Sequence, residues 1–292
     1  MRRTNFDMDA LRSFCEGMDL GSFAKAADKL GRSTSAVSMQ LKKLEEQAGV
    51  DLLRRSGRGL ELTAAGEVML GYARRIVELN DEARAAVADV GLEGAVRLGL
   101  QEDFGERLLS NVLGRFMRSH PDLQVEAVIA RNAELIAQLE GGKIDLALAW
   151  HTGVQLPHVE VLGDYPMRWV GPAHAADRFD GSRAPVRLVA LQAPCVMRKA
   201  ATDALDRAGI PWRIVYTSAS LAGIWAAVAA GLGVTVRTGL GLPDDVRVLG
   251  TDTGLPALPE IRLALLRGAA TPTAACERMR TLIRENVLGL PA

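Results

Sequence analysis

From Met8 to Leu62 the apolar positions fall into short groups. Leu11, Phe14, Cys15 and Met18 recur at three- and four-residue spacing, then Phe23, Ala26, Ala27 and Leu30, then Ala36, Val37, Leu41 and Leu44. That is the period of an α-helix with one buried face, so three short helices are predicted in this stretch. Gly21-Ser22 offers a turn and an N-cap, Gly31 fits the end of the second helix, and Ser33 or Thr34 can cap the third. Two helices joined by so short a turn must cross steeply, which is helix-turn-helix geometry. After Gly49, Leu52-Leu53 and Leu60-Glu61-Leu62 flank Ser56-Gly57-Arg58-Gly59. This reads as a small hairpin with a flexible basic tip, a wing beside the third helix.

Thr63 then caps a run to about Val90 that has no interior proline and carries Val68, Met69, Tyr72, Ile76, Leu79, Ala83 and Val87 at mostly helical spacing. Gly66 and Gly71 weaken it. A helix this long has no core of its own, so its apolar stripe is expected to pack against a second copy of the chain, with burial against its own domain as the alternative.

Beyond Gly94 the rhythm changes to strands alternating with helices. Val96–Leu100, Leu123–Ile129 and Ile144–Trp150 read as strands, with Leu108–Arg118 and Ala133–Leu139 as helices between them. Val159 to Gly171 is extended. A second, similar half follows in Val186–Leu191, Val196–Ala208, Trp212–Thr217, Leu221–Ala230 and Val234–Arg237. Two such lobes meet at a cleft. The closing strand Ile261–Leu266 and helix Ala274–Val287 are expected to return to the first lobe, making a double crossover and a hinge.

Composition narrows the functions. At 292 residues and 48% hydrophobic the chain can bury more than one core. Its 35 basic and 35 acidic side chains cancel, which argues against a protein that coats nucleic acid by bulk positive charge. From Gly21 to Thr63, however, Lys25, Lys29, Arg32, Lys42, Lys43, Arg54, Arg55 and Arg58 outnumber Asp28, Glu45, Glu46, Asp51 and Glu61, a local basic excess. Cys15, Cys195 and Cys276 lie far apart and form no CxxC, as in a reducing compartment. Met1–Phe14 lacks the apolar centre of a signal peptide, and Ile224–Val236 is too short to span a bilayer. A soluble cytoplasmic protein without membrane association is expected.

The run Ser22-Phe23-Ala24-Lys25-Ala26-Ala27-Asp28-Lys29-Leu30, then Ser33 to Glu45, then Gly49 to Gly66 ending in Leu62-Thr63-Ala64-Ala65-Gly66, resembles the N-terminal domain of LysR-type transcriptional regulators. Asn132–Trp150 and Tyr216–Leu221 through Gly233-Val234 are similar to the effector domain of that family, a periplasmic-binding-protein-like fold of two α/β lobes. Ile210-Pro211-Trp212-Arg213 with Ala226–Val236 further resembles a branch that includes the repressors LrhA and PecT. The resemblance implies an α+β multidomain protein. Residues 1–63 would form a winged helix-turn-helix DNA-binding domain, 64–91 a linker and dimerisation helix, and 92–292 an effector-binding domain, with lobe I at about 95–165 and 266–292 and lobe II at about 166–265.

The resemblance also implies the partners: double-stranded DNA with a pseudo-palindromic operator, a small-molecule effector, further copies of the chain in a dimer or tetramer, and RNA polymerase as a further candidate. No cofactor or metal is expected. The third helix would enter the major groove, with Thr34, Ser35, Ser38 and Met39 on the face where family members touch bases. Arg32, Lys42, Lys43, Arg54, Arg55 and Arg58 are placed for phosphates, and Ser22 and Ser33 count among the DNA-binding residues. Many relatives carry Gln at the position of Thr34 and Arg at that of Met39, so two bidentate readers are missing. Thymine methyl contacts and DNA shape would replace them, predicting an A·T-rich site.

For the effector, strand ends of the family fold carry over to Gln101, Glu102, Asp103, Asn132, Trp150, Gln192, Ser218 and Ser220. Glu102 and Asp103 would repel an anion unless Arg131, Arg198 or Arg237 compensates, which favours an uncharged or cationic effector. Cys195, at the start of a helix, is a weaker candidate for redox sensing. Three rivals remain: a regulator that needs no effector, an exported solute-binding protein, and an α/β enzyme. Against the enzyme, His120, His151, His158 and His174 show no metal-ligand spacing, and GxSxG, P-loop and GxGxxG motifs are absent. His151 can face the cleft, as a lining residue rather than a base.

Overall fold

The computed structural model describes residues 5–56, 59–104, 113–153, 156–174, 184–268 and 272–287. The chain divides into two compact units, Met1–Val90 and Gly91–Ala292.

In the first unit α1 spans Met8–Asp19, α2 Phe23–Lys29 and α3 Thr34–Ala48. Each begins on a side-chain cap that satisfies an otherwise orphaned amide: Asp7 accepts from the Ala10 N–H at 3.0 Å, Ser22 from Lys25 at 3.3 Å and Ser33 from Ala36 at 3.2 Å. Helix α3 ends on Gly49 in the left-handed conformation, φ 71°, which a side chain at that position would strain. Of the predicted apolar positions Leu11, Phe14, Leu44 and Leu52 converge on one core, which Leu70 and Ala73, outside the predicted stripe, complete.

The wing is β1 Leu53–Ser56 paired antiparallel with β2 Gly59–Leu62, from Leu53 opposite Leu62 to Ser56 opposite Gly59. Both strands thus reach the tip, further than the expected apolar pairs. Gly57 and Arg58 lie outside the described residues. Helix α4, Ala64–Ala88, is capped by Thr63, whose hydroxyl oxygen accepts from the Gly66 N–H at 3.0 Å.

In the second unit the elements are β3 Gly94–Leu100, α5 Gly114–Ser119, β4 Leu123–Ile129, α6 Asn132–Glu140, β5 Leu146–His151, β6 His158–Pro172, β7 Val186–Leu191, α7 Val196–Arg207, β8 Trp212–Ser218, α8 Leu221–Ala229, β9 Thr235–Thr238, β10 Val246–Val248, β11 Glu260–Arg267 and α9 Ala274–Val287. Of the helix expected at Leu108–Arg118, residues 108–112 lie outside the described residues.

Strands β4, β3 and β5 are parallel neighbours, and β11 joins antiparallel to β5. Leu98, Leu100, Leu146, Leu148 and Trp150 from these strands are buried on a core shared with Met279 and Ile283 of α9. In the second lobe β7 and β8 are parallel, and a bridge at Leu188 and Val234 links them to the start of β9.

Strand β6 belongs to both lobes. Its first part, His158 to Pro166, pairs with β11, and its second part, Met167 to Pro172, pairs with β9 and β10. One crossover therefore runs through Pro166-Met167. The other falls just before Glu260, because Glu260 already pairs with Pro166 and Arg262 with His151. The closing strand thus lies in the first lobe, where Ile261–Leu266 was expected to return, since a strand belongs to the sheet its hydrogen-bond ladder joins.

Candidate nucleic-acid interface and inter-lobe cavity

On α3, Val37 and Leu44 are buried, which turns Thr34, Ser35, Ser38 and Met39 outward. Met39 is 72% exposed, a large apolar side chain standing in water on a helix whose other face is core. The three serines are partly occupied. Ser33 caps the helix and shares a 2.9 Å hydrogen bond with Ser35, and the Ser38 hydroxyl donates to the Thr34 carbonyl at 2.9 Å. Ser22 is the cap of α2.

Several of the expected phosphate cations already have carboxylate neighbours. Arg32 pairs with Asp9 at 2.7 Å, Lys42 with Glu46 at 3.8 Å, Lys43 with Asp7 at 2.5 Å and Arg54 with Glu61 at 3.3 Å. All eight partners keep substantial water contact, so each pair contributes about 0 to 1 kcal/mol and yields readily to a phosphate. The Lys43 bond, with the Ala10 N–H, holds the Asp7 carboxyl below the usual carboxylate range. Arg55 is exposed; Arg58 lies outside the described residues.

Other positioning groups had no signal in the sequence. The Glu45 carboxylate accepts from the Leu52 and Leu53 N–H groups at 2.9 and 3.2 Å, fixing the base of the wing to α3. Ser13 donates to Gln40 at 2.6 Å, and Arg12 pairs with Asp81, joining α1 to α3 and α4. Helix α4 has two apolar faces. Leu70 and Ala73 pack on α1, while Val68, Tyr72, Leu79 and Val87 are exposed.

Between the lobes lies a cavity of about 800 Å³, lined among others by Gln101, Asn132, Ile136, Leu191, Val196 and Arg237. Its size is that of a small-molecule site. Of the eight expected effector residues, Gln101 and Asn132 line it and the other six do not. The Asn132 side-chain oxygen accepts from the Trp150 N–H at 3.1 Å, and its amide nitrogen donates to the Trp150 carbonyl.

Trp150 itself is fully buried against Phe104 and Tyr165, and its indole N–H donates to Asp103 at 3.2 Å. A central parallel strand is covered on both faces, so its end contributes core rather than cleft. Glu102 reaches across the lobes to accept from the Leu221 N–H at 3.2 Å. Ser220 caps α8, and the Ser218 hydroxyl oxygen accepts from the Ser220 N–H. Gln192 offers its carbonyl to Arg131, which also donates to the Ala219 carbonyl; both bonds span the lobes at 3.1 Å. Glu102 and Asp103 are therefore spent on structure rather than facing a ligand.

The thiols differ. Burial pushes Cys15 and Cys276 up to about 11, so both are protonated at neutral pH. Cys195 is half-exposed and lines the cavity. Iodoacetamide at pH 7.5 is expected to modify Cys195 alone in the native protein, with Cys15 and Cys276 reacting only after unfolding; peptide mass mapping before and after denaturant reads this directly.

A winged helix-turn-helix with an exposed recognition face, followed by two α/β lobes around a ligand-sized cavity, is the architecture of a ligand-responsive DNA-binding regulator. The chain belongs to the LysR family: residues 8–67 match the model of the bacterial regulatory helix-turn-helix proteins of that family, and residues 90–287 match its substrate-binding domain. It is thus a DNA-binding transcription regulator with an effector domain.

It is 40% identical over 263 residues to the transcriptional regulator PecT of Dickeya dadantii, covering 90% of this chain and 82% of PecT. To the regulator DgdR of Burkholderia cepacia it is 35% identical, covering 89% and 87%. These support a place in the PecT-like branch. The fold is similar to that of CrgA from Neisseria meningitidis, with a TM-score of 0.57 at 20% identity over 98% of this chain and 100% of that one. No helix among the described residues is long and apolar enough to cross a membrane.

Proposed function

We propose that the chain acts in the cytoplasm as a homo-oligomeric regulator without catalytic activity, dimerising through α4 and reading a pseudo-palindromic, A·T-rich operator with α3. The exposed face of α3, in which Thr34 and Met39 replace bidentate hydrogen-bonding readers, carries this reading. Ser35 and Ser38 lie beside them, and Ser22, Arg32, Ser33, Lys42, Lys43, Arg54, Arg55 and Arg58 supply phosphate contacts. A methyl or thioether surface favours thymine methyl groups, leaving much of the specificity to groove shape. One such domain makes few contacts, so two are needed for specific binding. A dimer of dimers and a contact with RNA polymerase are extensions of the same reading.

Selection from randomised DNA with the full chain tests it. A two-fold A·T-rich consensus is expected. Thr34→Gln should shift the preferred base at one position in each half-site, by about 1 to 3 kcal/mol of discrimination. An unchanged consensus would remove Thr34 from the base-reading face.

The inter-lobe cavity favours an effector-dependent regulator over a constitutive one. A ligand held there touches both lobes across two crossovers and so biases their relative orientation.

A further inference from the structure

We propose that the ligand of the inter-lobe cavity is a small organic acid with one carboxylate and an apolar body, and that Arg237 is its counter-charge. This rests on the reading of the cavity as the effector site and reverses the expectation of an uncharged or cationic ligand. Arg237 lies on β9 and lines the cavity, yet it is only 3% exposed. A guanidinium withdrawn from water requires an anion or a full set of acceptors. Arg237 has neither among the described residues: its Nη1 meets only the Met197 sulfur, at 3.2 Å, and its Nε has no partner. Its cross-strand neighbour in the β6–β9 ladder is Arg168, a second positive charge rather than a counter-ion.

Two helix starts add to the field. Helix α7 has Cys195 at its N-cap and α6 has Arg131, neither makes a side-chain cap bond, and residues of both first turns line the cavity. Uncapped N-termini present free N–H groups and partial positive charge. Among the described residues the one acidic group of the lining, Asp203, is already bound by Lys199 at 2.8 Å. Ile136, Leu191 and Val196 supply apolar wall, which fits a hydrocarbon or ring attached to a single acid group rather than a polyanion. Glu102 and Asp103, the groups that argued against an anion, bond the Leu221 amide and the Trp150 indole instead.

The full-length protein is titrated calorimetrically with butyrate, benzoate and phenylacetate, and with the three matched primary amides. At least one carboxylate is expected to bind, its amide at least about tenfold more weakly, and to slow alkylation of Cys195. Arg237→Met should abolish carboxylate binding and Arg237→Lys retain part of it. The comparison of acid with amide uses the wild-type chain and stands whether or not the variants fold. Equal binding of an amide overturns the charge assignment and leaves the cavity a ligand site. No response to any carboxylate, with specific DNA binding intact in the same preparation, overturns the ligand class and leaves the regulator in place. Loss of both would remove the functional reading beneath it.

Discussion

Leu79→Asp is expected to convert the proposed dimer to a monomer and to lower operator affinity by at least about a hundredfold. Leu79 is 66% exposed on α4, in line with Val68, Tyr72 and Val87, while the opposite face of the helix is fixed on α1 by Leu70 and Ala73. An apolar stripe already turned away from its own core has nothing among the described residues of its unit left to cover it. Burying one leucine contributes about 1.5 to 3 kcal/mol, and in a two-fold pair each position is counted twice. The substitution therefore removes about 3 to 6 kcal/mol from the dimer and places a carboxylate where water is excluded. A hundredfold loss corresponds to about 2.7 kcal/mol, so the estimate is a lower bound. The helix itself survives, since Asp costs well under about 1 kcal/mol of propensity at an exposed position. Sedimentation equilibrium and fluorescence anisotropy on a labelled operator measure the two effects. A variant that stays dimeric with undiminished affinity would show that the stripe is not the interface.

Gly66→Ala, a change that raises helix propensity, is expected to unfold the first unit more easily. A Cβ on Gly66 would stand 2.1 Å from the Leu52 carbonyl oxygen and 3.0 Å from the Leu62 side chain. That carbonyl also accepts from the Thr63 N–H at 3.0 Å, so it cannot move aside without loosening the junction of wing and α4. Alanine contributes about 1 kcal/mol over glycine inside a helix. Overpacking costs about 1 to 3 kcal/mol and the displaced hydrogen bond about 1 kcal/mol more, so the clash wins by about 1 to 3 kcal/mol. Gly71→Ala has the opposite sign, because nothing lies within 4 Å of its Cβ position and only the propensity gain remains.

Trp150, Trp169, Trp212 and Trp225 all lie in the second unit, so tryptophan fluorescence does not report on the first. Hydrogen exchange of peptides from α1 and α4 does. Protection should fall by about tenfold or more for Gly66→Ala and rise for Gly71→Ala. Equal and increased protection in both would show that the wing gives way freely.

The first unit was largely legible in the sequence because its signals are local. Caps at Ser22, Ser33 and Thr63 and the three-four spacing of Leu11, Phe14, Val37 and Leu44 fix helices whose hydrogen bonds close within a turn. Gly66 shows where this stops. In sequence it is a weak helix residue; in the fold it is the only residue type that lets the wing approach. The cavity was less legible. Strand ends mark which loops meet, but side-chain direction depends on register and on how many faces of the strand are covered. Trp150, Gln192, Ser218 and Ser220 were therefore placed at the cleft when they bond the framework around it.

By itself, then, the sequence determined the order of elements, the family, the face of α3 that is free and the apolar stripe on α4, since each follows from periodicities and caps within a few residues. Only the tertiary structure decided what the cavity can hold. Glu102 and Asp103 look like the dominant charges in sequence, and their carboxylates are held by hydrogen-bond donors 119 and 47 residues away, off the cavity wall. Arg237 looks like an ordinary strand cation and is left buried with no anion beside it among the described residues. Charge in a sequence is only a count, whereas its effect depends on burial and on which groups the fold brings within hydrogen-bonding distance.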